Sequence, residues 1–187
     1  MPAGGRRLVE VLAGAFADDP WLHWTLPDVG AVRSLMSVFL RTAAFPYGEV
    51  LVAGDPVVGA VVLMGPEVVP PEAPEVGSVV LALHGHRAGL ALDADSVVSR
   101  YRPVEPAWVL HTIGVAPAAQ GQGIGGRLLE AAIDLAGDWP LQLETSSPVA
   151  RDWYLRRGFT LDAEVELGVG HGLPPNAPTV WLLSHHP

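Results

Sequence analysis

The chain of 187 residues contains no cysteine. That removes disulfide scaffolds, thiolate zinc sites and cysteine nucleophiles together, and it fits a reducing compartment. Lysine is also absent, so the eleven cationic side chains are all arginines. A phosphate loop of the Gly-Lys-Ser/Thr type is therefore excluded. Clustered positive charge is lacking as well, since the formal net charge is -9. This argues against a nucleic-acid surface. No apolar run approaches the roughly 20 residues of a membrane span. The segment after Arg6 and Arg7 carries acids at helical spacing, unlike a signal peptide. The expectation is a cytoplasmic protein with neither a nucleic-acid nor a membrane partner.

What is present suits one folded domain over residues 1–187, because 49% of the residues are hydrophobic. Two short proline-rich breaks, at 68–75 and 171–178, read as loops within it. Arg7 to Phe16 has helical spacing and is expected to stop at Pro20. Val32 to Ala44 is a second amphipathic helix. Glu49 to Ala53 and Val57 to Met64 read as a hairpin, the latter suiting a buried strand. Glu75 to Leu92 reads as one helix with a glycine-weakened middle, followed by a shorter one at Ala94 to Arg100. Trp108 to Val115, Gly123 to Ala136 and Leu141 to Thr145 form a βαβ unit. A short helix, Ala150 to Arg157, ends at Gly158, and strands follow at Phe159 to Leu167 and Thr179 to Ser184. The order is mixed α and β.

The chemistry concentrates in "GVAPAAQGQGIGGRLL", where a strand leads through glycines into a helix. Gly121, Gly123 and Gly126 fit a dinucleotide fingerprint, with Glu144 about 20 residues on. Against it, "APAAQ" separates the strand from the first glycine, and too little chain follows for a doubly wound sheet. The alternative is an anion bend. Backbone N–H groups of Gln120, Gly121, Gln122, Gly123, Ile124, Gly125 and Gly126 converge on a phosphate that a β-carbon would keep away. The following helix points its positive end at the same place, and Arg127 stands in its first turn.

These residues carry a resemblance. "IGVAPAAQGQGIGGRLL" resembles motif A of the GNAT superfamily of acetyl-CoA-dependent N-acetyltransferases, and "LETSSPVARDWYLRRGF" resembles its motif B. Within the superfamily, "RPVEPAW", "LETS", "TVWLL" and "AFADDPWLHWTLPD" are similar to puromycin N-acetyltransferase-like bacterial enzymes. The resemblance implies an α/β (α+β) acyl-CoA N-acyltransferase fold: a mostly antiparallel twisted sheet flanked by helices, with strands splayed at a cofactor cleft. It implies that Ile113, Gly114 and Val115 pair with the pantetheine arm of acetyl-CoA. Gly114 and Pro117 would permit the splay between the strands of Val115 and Leu143. Ser147 stands where the superfamily often has an asparagine contact to the cofactor.

Acetyl transfer needs a neutral amine, a stabilised carbonyl oxygen and a proton for the departing thiolate. By resemblance, Tyr154 in Tyr-x-x-x-Gly-Phe is the acid. Two bases remain open. His111 lies on the cleft strand, where arylalkylamine acetyltransferases of the superfamily carry histidine, and titrates near neutrality. Glu144 is its rival, or else a structural acceptor or the ion-pair partner of Arg151. For the acceptor, a small-molecule primary amine, the aromatic faces of Trp21, Trp24 and Trp108 are the candidates. The histidines make no metal-ligand set, so no metal is expected. A non-catalytic acyl-CoA sensor on the same fold is the alternative, and a monomer or homodimer fits either reading.

Overall fold

The computed structural model describes residues 3–28, 30–68 and 74–187. Most of the proline-rich break at 68–75 therefore lies outside the described residues. Helix α1 (Ala3–Ala15) buries Leu8, Val11 and Leu12, one side of a 3.6-residue repeat. Pro20 begins a helix instead of merely stopping one: α2 (Pro20–Thr25) has Pro20 at its first position and Asp19 as its cap. Proline's missing N–H is no loss there, and Asp19 Oδ1 accepts from Leu22 N at 2.9 Å. Helix α3 (Ala31–Phe39) runs on through a π turn at Leu40–Ala44 into the short α4 (Phe45–Tyr47).

The hairpin of β1 (Gly48–Ala53) and β2 (Gly59–Met64) follows. The single helix expected over Glu75–Leu92 is two. α5 (Pro74–His84) and α6 (Ala88–Val98) flank a 3₁₀ turn at Gly85–Arg87. Gly85 sits at φ +55, which a glycine adopts without strain, so the break falls there and not near Asp93. Then come β3 (Trp108–Val115), α7 (Ile124–Ala136), β4 (Leu141–Thr145), α8 (Pro148–Leu155), β5 (Thr160–Glu166) and β6 (Thr179–His185). Among the described residues no helix is long and apolar enough to cross a membrane.

The six strands form one sheet in the order β1-β2-β3-β4-β6-β5. Only the β3–β4 pair is parallel, with α7 as its crossover. Strand β2 is the reason the sheet has two covered faces. Val61 and Leu63 meet Leu128 and Leu129 of α7 on one side, and Ala60 and Val62 meet Leu12, Met36 and Leu40 on the other. Its uninterrupted apolar run is the pattern of a strand buried on both faces.

Two irregularities open the sheet. The β3–β4 ladder contains only Trp108↔Leu141 and Val109↔Gln142, so the strands diverge beyond Val109. On its other edge β3 pairs Leu110 with Leu63 and Thr112 with Val62, skipping His111. His111 is therefore a β-bulge, with no Cα partner on either edge. The distortion expected at Gly114 and Pro117 lies at His111. Gly114 itself pairs regularly with Ala60, and a Cβ there would stand 2.8 Å from Ala15 Cβ and 3.1 Å from Leu12. Its glycine serves the close approach of α1 to the sheet.

Candidate active site

The diverging ends of β3 and β4 open into a cleft of about 1670 Å³. That exceeds the roughly 300–1,000 Å³ of a pocket for one small ligand, so there is room for two reactants. One end is built by the glycine bend. Gly121 and Gly123 adopt φ +78 and +74, left-handed values that other residues reach only with strain. The Gln120 side-chain amide donates to Val115 O at 3.1 Å and closes the bend. Gly123 caps α7 with no side-chain hydrogen bond, so the helix turns bare backbone N–H groups outward. A Cβ at Gly121 would meet nothing within 4 Å, and Gly125 has only Trp153 and Val115 near it, both at 3.7 Å. No side chain fills the concavity at Gly121. These features fit a pyrophosphate, which needs several N–H donors and close backbone approach.

Two cations stand at this end that no sequence argument singled out. Arg156 and Arg157 line the cleft, and Arg157 lies over the Trp153 ring, 4.1 Å from its centroid, while donating to Trp153 O at 3.1 Å. The signal was available: both arginines fill the variable places of Tyr-x-x-x-Gly-Phe. Arg127 and Gln122 do not line the cleft, and Arg127 instead donates to Gln122 O at 3.4 Å. Ser147 lines it and also caps α8, accepting from Ala150 N at 3.3 Å.

Ile113, Gly114 and Val115 line the cleft on β3. Tyr154 reaches it from α8, buried against Phe159 and Trp153. Burial pushes its phenol well above the ordinary value, and its hydroxyl has no hydrogen-bond partner among the described residues. A protonated hydroxyl on a cleft wall can give a proton to an anion formed beside it.

His111 also lines the cleft, on β3. The bulge turns His111 and Thr112 to neighbouring positions, and a 3.2 Å hydrogen bond joins His111 Nδ1 and Thr112 Oγ1. When Nδ1 donates, Nε2 keeps its lone pair. The ring faces Phe39 of α3 at 4.0 Å between centroids. Desolvation lowers the imidazole pKa below the usual 6.5; the Glu144 charge opposes this and the Arg102 charge adds to it. The residue nonetheless remains exposed to the open cleft, and the shift is toward the neutral imidazole.

Glu144 lines the cleft on β4 but is already engaged. Arg102 donates to its two oxygens at 2.5 and 3.3 Å, and to Asp95 Oδ1 at 2.8 Å. Its ion-pair partner is Arg102 and not Arg151, which pairs with Asp152 and lies over Trp181. Trp21 lines the cleft, and its backbone N–H donates to Ser146 Oγ at 3.0 Å. Ser146 in turn donates to Asp19 Oδ2 at 3.3 Å, and burial raises the Asp19 carboxyl above its ordinary range. Trp24 and Trp108 lie off the cleft. Trp24 packs with the α6 cluster, and Trp108 joins the α7 core below Gly65.

Residues 75–161, from α5 to the start of β5, match the family model described as the acetyltransferase (GNAT) domain. The mixed, mostly antiparallel six-stranded sheet with flanking helices is the GNAT fold.

More particular likenesses follow. N-alpha-acetyltransferase RimI of Mycobacterium tuberculosis is 40% identical over 78 residues, which are 40% of this chain and 49% of that protein. The chain thus spans about half the length of the curated relative it matches. A structure of histone acetyltransferase HPA2 and related acetyltransferase from Corynebacterium glutamicum superposes with a TM-score of 0.72 at 24% identity, covering 100% of this chain and 93% of that one. Drosophila melanogaster polyamine N acetyltransferase gives 0.65 at 20% identity, covering 98% and 96%. At these identities the two structures speak for the fold alone.

Proposed function

We propose that the protein is an acetyl-CoA-dependent N-acetyltransferase that transfers acetyl to a primary amine of a small molecule. The observation that carries this reading is the coincidence of three features around one gap: strands that part beyond Val109, a bare glycine bend, and a lining that includes both Tyr154 and His111. Acetyl-CoA would supply the acetyl group as a thioester, its phosphates held by the bend at 120–126 together with Arg156 and Arg157.

The residues of the chain divide the work as follows. The unpaired backbone of the His111 bulge is free to serve an acyl oxygen and an extended ligand arm. His111, shifted toward its neutral form, accepts the proton that the attacking ammonium must lose, directly or through water. Tyr154 O–H donates to the leaving sulfur. The ammonium first gives one proton to His111 and attacks as the neutral amine. The nitrogen–carbon bond forms, the carbon–sulfur bond breaks, the sulfur takes the Tyr154 proton, and the nitrogen sheds a second proton that restores Tyr154, so that one proton is released in all. Glu144, committed to Arg102, acts as a fixed negative charge near the acceptor and not as the base. Positioning in the gap supplies most of the rate.

The acceptor end carries Asp18, Asp19, Asp95, Glu105 and Glu144 against Arg102 as its one permanent cation among the described lining residues there. Such a balance favours a cationic amine over an acidic acceptor. The protein would act in the cytoplasm as a monomer or homodimer.

The test is thiol release from acetyl-CoA with puromycin, aryl-alkylamines, polyamines and aminoglycosides. The RimI likeness adds a peptide N-terminal amine to the panel. Release above the hydrolysis rate with at least one amine is the expected result. Acetyl-CoA binding with no release from any of them would instead favour a sensor module.

A further inference from the structure

The acceptor half of the cleft has a second property besides negative charge. On α3, Leu35, Val38 and Phe39 recur at helical spacing and turn one apolar stripe into it. Beside them, on α5, which packs against α3, Val76 and Val80 stand four residues apart and line the same cleft. All five side chains are only half-buried. Helix α5 is strongly apolar, yet His84 is its one buried residue among those described. Its cleft-side valines therefore border open space where a core helix would find packing partners. The slot runs into the place where Phe39 lies on His111, near Glu144, which together with Asp95 holds Arg102 and leaves that group with one net negative charge.

We infer that the α3–α5 slot holds the hydrocarbon body of the acceptor, so that the preferred substrate is an amphiphilic monoamine with one cationic head and an apolar tail. This rests on the acetyltransferase reading above. The head is drawn to that negative charge beside His111, where the amine must lose its proton. The tail covers Val76, Val80, Leu35 and Val38. A polyamine would place a second ammonium against these side chains, with no carboxylate on either stripe to receive it.

The experiment is a series of straight-chain primary amines from ethylamine to octylamine, with putrescine and spermidine alongside, followed by thiol release from acetyl-CoA. kcat/KM should rise about fourfold per methylene until the slot is full, the ratio corresponding to about 0.8 kcal/mol for a buried CH₂. Val80→Ser and Leu35→Ser, each checked by thermal melting for a folded state, should flatten that slope. A flat series in the unsubstituted protein, a diamine or peptide that outruns every monoamine, or an unchanged slope in both folded variants overturns the slot. Absence of release with every amine and peptide, while acetyl-CoA still binds, overturns the underlying acetyltransferase reading instead.

Discussion

The imidazole of His111 and the phenyl ring of Phe39 lie face to face, 4.0 Å apart and 18° from parallel. One ring belongs to a bulged strand and the other to the helix packed above it. Phe39 thereby removes water from one face of the imidazole and limits its rotation. The first of these favours the neutral form of the ring.

The first prediction concerns pH. Because the folded pKa of His111 lies below 6.5, kcat/KM should rise through that lowered pKa and level off before neutrality. His111→Gln should remove this limb, and Phe39→Ala should move it upward toward 6.5. The stability effect has a definite sign. A depressed folded pKa means that the unfolded chain binds more protons, so the stabilisation is fully present above 6.5 and is lost as pH falls. The melting temperature of His111→Gln should accordingly depend less steeply on pH below 6.5 than that of the unsubstituted protein.

The second prediction concerns Tyr154. Tyr154→Phe should lower kcat about 100-fold, in the range of a lost general acid, with KM for acetyl-CoA within about twofold. The melting temperature should hardly change, since the hydroxyl gives up no internal hydrogen bond. An unchanged kcat would remove the acid role.

The third concerns the bend. Gly123→Ala forces an alanine to φ +74, at about 1–2 kcal/mol, and puts a methyl group at the mouth of α7, 3.4 Å from Arg127 Nη1. Calorimetry should find acetyl-CoA bound about tenfold more weakly, the equivalent of roughly 1.4 kcal/mol. Arg157→Ala should weaken it in the same direction and make the remaining affinity less dependent on salt.

The fourth is structural. Leu129 of α7 is 1% exposed in the core that holds β2, β3 and β4 together. Leu129→Ala should cost about 2–5 kcal/mol in chemical denaturation. The slope of the unfolding curve should be unaltered.

Much of this was readable from the residues. The span Trp108–Val115 is matched to the residue, because an apolar run and a following loop bound it sharply. The glycine bend and Tyr154 were legible as motifs, since their spacing is local. What escaped was set by tertiary contact. Nothing near Gly114 says that α1 will press on it, so its glycine was assigned to the splay. The bulge at His111 depends on the register against β2, which no single strand encodes. Arg102 is 42 residues from Glu144, and their pairing appears only when the segment following α6 folds over β4. The three candidate acceptor tryptophans divide similarly: of Trp21, Trp24 and Trp108 only Trp21 lines the cleft, which local sequence does not reveal.

The short β3–β4 ladder has a dynamic consequence. With two residue pairs bridging them, the half-sheets β1-β2-β3 and β4-β6-β5 are joined by backbone at one narrow seam, and otherwise by side chains of the α7 core. The facing edges of β3 and β4 beyond the seam offer amides to solvent or to whatever lies between them. An extended ligand there would complete the interrupted ladder and fasten the halves to each other. Hydrogen exchange along 110–115 and 143–145 should therefore slow when the gap is filled, making the occupant in effect a temporary seventh strand of the sheet.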